Sequence, residues 1–294
     1  MSFRGIVAYC CLAAFWAAFF VGLAVAVGAL GIGLAAAIFA IVGGLSLLAM
    51  AKIVGRELRW HLDWAAVLMW AALGLTILVA VATSVAHLGS ALSAVVVSSI
   101  PLFATVVGQM RGLERVTGLG ALSILLGISG LLLVAAFPVG YPSWGFLGGV
   151  IAALVAAIAA GSCGRHLAAR LHSPRALETA IAAALIGGLG ALTLTPFTPV
   201  PGRVDGWPIA LLVMLAICCG FLGLFALSSA SDSVPRRTAA TLPGVGTVLA
   251  AIAGVVLLSE VVSFAQVLGM FAILAGTALL RGLVPRWFPA SWRS

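Results

Sequence analysis

Seven carboxylates, four histidines, five cysteines and one Gly-Ile-Ser-Gly stretch are what this sequence offers to chemistry. Glu57, Asp63, Glu114, Glu178, Asp205, Asp232 and Glu260 all fall between long apolar runs or at their ends. An acid meant for ion coupling stands inside such a run, because charge at a bilayer centre is costly and is kept for function. His61, His166 and His172 lie close to arginines. His87 lies between the third and fourth apolar runs, as a loop histidine or a pH sensor would. Cys10, Cys11, Cys163, Cys218 and Cys219 lie within apolar runs without metal-ligand spacing, so they are read as small hydrophobes. Gly127-Ile128-Ser129-Gly130 matches the nucleophile motif of intramembrane serine proteases. A serine nucleophile needs a base within hydrogen-bond reach, and the histidines that follow sit in a basic stretch. We therefore expect no catalytic residue, metal site or cofactor.

The elements around these residues belong to a membrane. The hydrophobic fraction is 64% and the charged fraction 7%, with mean hydropathy +1.28. A soluble domain carries about 25% charged residues. Open sheets are excluded from hydrocarbon by their unpaired edges, and the runs lack the alternation of a transmembrane barrel. Helices remain. Ten apolar segments are predicted at about 5–27, 30–53, 62–83, 88–109, 116–136, 144–163, 177–197, 207–229, 238–258 and 263–283. The first is too long for a signal-peptide core.

Net charge is +8. Every Lys and Arg except Arg203 falls in the N-terminal tail, in alternate loops or near the C-terminus. That asymmetry explains the charge as topology rather than nucleic-acid binding. By the positive-inside rule it puts both termini in the cytoplasm of a multi-pass inner (plasma) membrane protein. Trp60, Trp64, Trp144, Trp207, Trp287 and Trp292 lie at or near segment ends, as interfacial anchors do. Trp16 and Trp70 lie well inside their segments.

A shift of 146 residues brings the chain onto itself. Gly108 falls on Gly254, Glu114 on Glu260, Val116 on Val262, Leu122 on Leu268, Gly130 on Gly276 and Leu133 on Leu279. The fourth and fifth segments thus echo the ninth and tenth. Five helices per repeat is an odd number, so the second copy is inverted, a plan that recurs in secondary transporters with substrate at the repeat interface. The expected organisation is residues 1–137 as the first repeat, 144–284 as the second, inverted one, and 285–294 as a short cytoplasmic tail. The fold class is all-α and polytopic, with ten transmembrane helices as two inverted five-helix repeats.

The stretch Ser98-Ser99-Ile100-Pro101-Leu102-Phe103 leading to Gly112-Leu113-Glu114, and Leu258-Ser259-Glu260 preceding Gly269 and Gly276, resemble the half-repeats of the EamA family of the drug/metabolite transporter superfamily. Ala14-Phe15-Trp16 is similar to that family's first-helix aromatic motif. The resemblance covers essentially the whole chain. The sequence departs from the pattern where Thr247 replaces a proline, with Pro243 one turn earlier, and where Ser123 replaces a glycine. The resemblance implies export or exchange of small metabolites. Small multidrug members of the superfamily use a buried glutamate for protons, and this sequence has none at an equivalent site.

The candidate substrate-binding residues follow from these two readings together. The helical face Ser90, Ser93, Val97, Pro101 and its repeat mate Arg236, Ala239, Pro243, Thr247 are candidate pore linings. Pro101 and Pro243 remove backbone hydrogen bonds within the membrane. Trp16, Trp70 and Phe20, one turn beyond Trp16, are candidate aromatic walls, because the first and third helices of each repeat line the cavity in the superfamily that the sequence resembles. Glu114 and Glu260 are read as helix-start residues favoured by the helix dipole, with gating as their other role. The expected function is secondary transport of a small amino acid-like, drug-like or otherwise neutral or zwitterionic solute by alternating access, in the export direction. The alternative is a non-transporting membrane sensor or partner-binding subunit. The expected partners are the solute and membrane lipid, with no nucleic acid. A monomer suffices, and a homodimer is left open.

Overall fold

The computed structural model describes residues 3–58, 60, 62–112, 117–136, 143–171, 176–198, 206–228 and 236–280. Among them are ten α-helices: α1 (Phe3–Leu30), α2 (Ile32–Ile53), α3 (Trp64–Val97), α4 (Ile100–Met110), α5 (Gly118–Ala136), α6 (Trp144–Leu171), α7 (Ala176–Leu192), α8 (Gly206–Ser228), α9 (Arg236–Leu258) and α10 (Phe264–Leu280). A short 3-10 turn, Thr195–Phe197, follows α7. Stretches in α1, α2, α3, α5, α6 and α7 are long and apolar enough to cross a membrane, and shorter apolar stretches lie in α4, α8, α9 and α10. The protein is an all-α polytopic membrane protein.

Two glycines make corners that no other residue type would accept easily. Gly31 (φ 77°) joins α1 to α2 with a single residue. Gly89 (φ 82°, ψ 176°) breaks α3 into two helices, 64–88 and 90–97. The hydroxyls of Ser84 and Ser93 hydrogen-bond at 2.8 Å across that corner. In a continuous helix they would lie roughly 13 Å apart along the axis, so the chain folds back at Gly89. The fourth membrane segment is therefore 90–97 plus α4, with Pro101 in the first turn of α4. Where Pro101 interrupts the segment, Ser98 and Ser99 turn their hydroxyls onto the Val95 and Val96 carbonyls, at 2.7 and 2.5 Å. His87, expected in a loop, instead lies exposed on the last turn before the corner.

Gly31 and Gly89 define one end of the bundle, the corner end. Lys52 in the last turn of α2, Arg56 after it, and Arg111 after α4 define the opposite, basic end. There Asp63 caps α3 by accepting from the Ala66 N–H at 3.3 Å, and Gly55 (φ 73°) ends α2.

The packing repeats between the two halves. α2 lies on α7 and α5 on α10, each helix facing its own repeat mate; α3 lies on α7 as α8 lies on α2, and α4 on α6 as α9 lies on α1. The α5–α10 seam shows the pseudo-symmetry at atomic scale. A Cβ on Gly130 would lie 2.5 Å from the Gly269 carbonyl oxygen, and one on Gly276 would lie 2.6 Å from that of Ser123. Under the 146-residue register these two contacts are the same contact with the halves exchanged. Small residues permit such approach, and in lipid it is how helices associate. The opposite face of α5 carries exposed Leu125, Ile128 and Leu132. Ser129 is exposed as well and donates to the Leu126 carbonyl of its own helix. The Gly-Ile-Ser-Gly stretch is thus a packing element, with Gly127 and Gly130 buried in the seam.

Trp60, Trp64, Trp144 and Trp207 are each at least half exposed near helix starts, where interfacial anchors belong. Trp287 and Trp292 lie outside the described residues.

Candidate functional site

The apolar runs leave one large space inside the bundle. A cavity of about 920 Å³ is lined by residues of α1, α2, α3, α4, α6, α7 and α8. That is within the usual size of a small-molecule site. Its walls run from the bundle middle towards the basic end: Leu47 late in α2, Asp63 and Ala66 at the start of α3, Ala176 and Thr179 at the start of α7. Towards the corner end the interior is filled instead. Leu23, Ala26, Leu30, Val85 and Leu92 are buried in one continuous core. Among the described residues the cavity is a chamber that reaches from a floor near mid-bundle to the basic end.

The floor is aromatic. Trp16 and Phe20 stand 5.6 Å apart between ring centroids, Phe19 and Phe20 5.3 Å apart at 80°, and Phe19 and Phe39 5.3 Å apart. All four line the chamber, and Trp70 stands on the α3 wall. These tilted arrangements let ring edges meet ring faces, worth about 0.5–1.5 kcal/mol per pair beyond area burial. Trp16 reaches its position because α9 offers Gly246, where a Cβ would lie 2.8 Å from the Trp16 Cβ. The Trp16 Nε1–H is buried and has no acceptor among the described residues. A buried indole N–H ordinarily finds one.

The other expected site residues are placed variously. Val97 lines the chamber. Ser93 is buried and turned onto Ser84 rather than into the chamber. Ser90 is buried at the Gly89 corner. Pro101 is not a wall; its neighbour Ile100 is. Thr247 is fully buried outside the lining. Glu114 and the Pro243 side chain lie outside the described residues. The reading of Glu260 as the start of its own helix is corrected. α10 begins at Phe264, and its first turn is capped by Ser263 and Gln266: the Ser263 N–H donates to Gln266 Oε1 at 2.9 Å, and the Gln266 N–H to Ser263 Oγ at 3.2 Å. The Glu260 carboxylate instead accepts from the Ser90 and Ala91 N–H groups, at 2.6 and 2.9 Å, and from the Ser90 hydroxyl at 2.8 Å.

Phe19, Phe39 and the glycines Gly43, Gly44, Gly74 and Gly187 also border the chamber, and the sequence reading did not single them out as walls. The aromatic pattern held a signal for Phe19, since i+3 and i+4 share a helix face. Phe39 carries no such signal, because its role depends on how α2 meets α1. Glu178 sits in the first turn of α7, as expected of a helix-end acid, and is only 3% exposed.

Residues 143–282, the second of the two repeats, match the EamA-like transporter family. That half of the chain is similar to EamA-like transporters. The match covers the half holding Gly269 and Gly276, and the packing of that half is mirrored by the first. A solved crystal structure is similar to this chain at TM-score 0.62 with 16% identity, over 96% of this chain and 99% of the other. At that identity the likeness is one of fold. No curated protein matches the sequence.

Proposed function

We propose that this protein is an EamA-like transporter that carries a small, largely apolar or aromatic, uncharged or zwitterionic solute across the inner membrane by alternating access, in the export direction. The observation that carries the reading is the chamber: about 920 Å³, walled by Trp16, Phe19, Phe20, Phe39 and Trp70, reaching the basic end among the described residues and filled at the corner end. A chamber that extends towards one end and is closed at the other is what one half of an alternating-access cycle requires. The positive-inside rule assigns the basic end to the cytoplasm, so the chamber extends towards the cytoplasmic pool from which an exporter loads. The buried Trp16 N–H favours a solute that brings a hydrogen-bond acceptor, such as a carbonyl, to the aromatic floor.

Among the described residues the only charged wall is Asp63 at the basic end. An anionic solute such as a phosphate ester would find no counter-charge among the described chamber walls, and desolvating it would cost several kcal/mol or more. Proteoliposomes loaded with a panel of labelled solutes test the reading. We expect counterflow of apolar or aromatic solutes and none of phosphate esters. Absence of counterflow for the whole panel, with reconstituted protein in its folded state, would instead support a sensor or partner-binding role.

A further inference from the structure

We infer that Glu260 is the latch that holds the corner end of the bundle shut while the chamber is open at the basic end. The inference rests on the alternating-access reading above. The helix that begins at Ser90 opens with N–H groups that have no partner within the helix. Gly89 precedes it and has no side chain to cap it. The cap comes from the other half of the molecule. The Glu260 carboxylate takes three hydrogen bonds from Ser90 and Ala91 at 2.6–2.9 Å. Charge-assisted bonds of this kind are the strong ones, and the helix N-terminus favours the negative charge.

The surroundings are shaped to this contact from both sides. A Cβ on Gly89 would lie 2.8 Å from the Glu260 carboxyl carbon, and one on Gly254 would lie 2.7 Å from Glu260 Oε2. Ser259 adopts a left-handed φ of 55°, and the Glu260 N–H reaches back to the Gly254 carbonyl at 3.3 Å. The α9–α10 connection is bent so that its acid meets the Gly89 corner.

The bond joins two groups that also touch directly, because α3 lies against both α1 and α9. α3 and α4 pack on α6, and α8 and α9 pack on α1. Glu260 follows α9 and grips the segment that continues into α4. A solute can leave past the chamber floor only if these groups part at the corner end, where Leu23 and Leu92 now fill the space between them. Parting them breaks the Glu260 bonds, or strains the connection that carries them.

Cysteine reactivity tests the latch without needing a substrate. Cys219 lines the chamber. Leu23 is fully buried, one turn beyond Phe19. Two full-length reporters are made, one keeping Cys219 as its only cysteine and one carrying Leu23→Cys as its only cysteine. Each is compared with and without Glu260→Ala, using a small water-soluble thiol reagent. We expect slow but measurable reaction at Cys219 and an inert Leu23→Cys in the parent, and in Glu260→Ala a rise at Leu23→Cys of roughly tenfold with a fall at Cys219. Unchanged rates at both positions in folded protein would make Glu260 a structural cap and overturn the latch. A rise at both positions would mean local unfolding, and would overturn it equally. Glu260→Gln keeps the side-chain volume and serves if Glu260→Ala does not fold; the same opposite changes are expected, smaller in size. An inert Cys219 in the parent would count against the chamber reading alone, because the latch is read from the change at Leu23→Cys.

Discussion

The pairs α5–α10 and α2–α7 each set a helix against its own repeat mate, and both are rich in glycine, yet they do opposite things. In the α5–α10 seam the glycines face backbone: Gly130 meets the Gly269 carbonyl and Gly276 that of Ser123, with no room for a methyl group. Along α2 and α7 the glycines divide: a Cβ on Gly188 would lie 2.6 Å from Ile41 Cγ1 on α2, whereas Gly43 and Gly187 face α8 and α3 across more room. A Cβ on Gly43 would meet only the Ala216 carbonyl, at 3.7 Å, and one on Gly187 the Ala71 carbonyl at 3.2 Å, while Gly43, Gly44 and Gly187 border the chamber. The same residue type excludes everything in one place and leaves a space in the other. The facing helix decides which. A glycine set directly against the backbone of the facing helix lets the two helices close up, and one turned towards the chamber leaves that space open.

The sharpest way to break this contrast is in the seam. Gly130→Ala and Gly269→Ala each put a carbon within about 2.6 Å of a backbone oxygen, so the helices must separate. We expect a loss of about 1–3 kcal/mol or more, seen as poor yield and a lowered melting temperature in detergent. Gly28→Ala, which meets nothing within 4 Å, is the matched control. A seam variant as stable as that control would remove the distinction between the two pairs.

Effects on transport with the fold intact are expected next. Trp16→Ala and Trp70→Ala take aromatic wall from the chamber without touching the seam. A single aromatic contact is worth about 1 kcal/mol, so transport should fall several-fold while the protein runs as one species in detergent. Normal transport in both folded variants would sink the assignment of this chamber as the substrate site. The smallest effect belongs to Gly74→Ala. Gly74 lines the chamber and a Cβ there meets nothing. Stability should hold, and uptake of the bulkiest accepted solute should fall a few-fold while that of the smallest does not change. A stability loss there would mean that the α3 wall is packed rather than open.

Much of this was legible in the residues. The ten runs and the odd-numbered repeat followed from hydropathy and from spacing, since lipid demands long apolar helices and a 146-residue echo survives in glycines and in Glu260. Trp16, Phe20, Trp70 and Val97 were also placed on the chamber in advance. Ser93, Pro101 and Thr247 were not walls, because helical spacing identifies a face and does not say whether a cavity or a neighbouring helix lies against it. Ser93 has the spacing of Val97 but meets Ser84, as the corner at Gly89 folds the two serines together.

Glu260 divides the two kinds of knowledge most clearly. The sequence alone determined that an acid stands outside the hydrocarbon at a helix boundary, in register with Glu114, and that its charge suits a helix N-terminus. Which N-terminus was decided only by tertiary structure. Glu260 precedes one helix by four residues and caps another that begins 170 residues earlier in the chain. Local sequence carries the energetic preference of a carboxylate for free N–H groups, which is the same for any helix. Proximity between distant helices comes from the packing of whole faces, and it is the glycines at positions 89 and 254 that let this one approach.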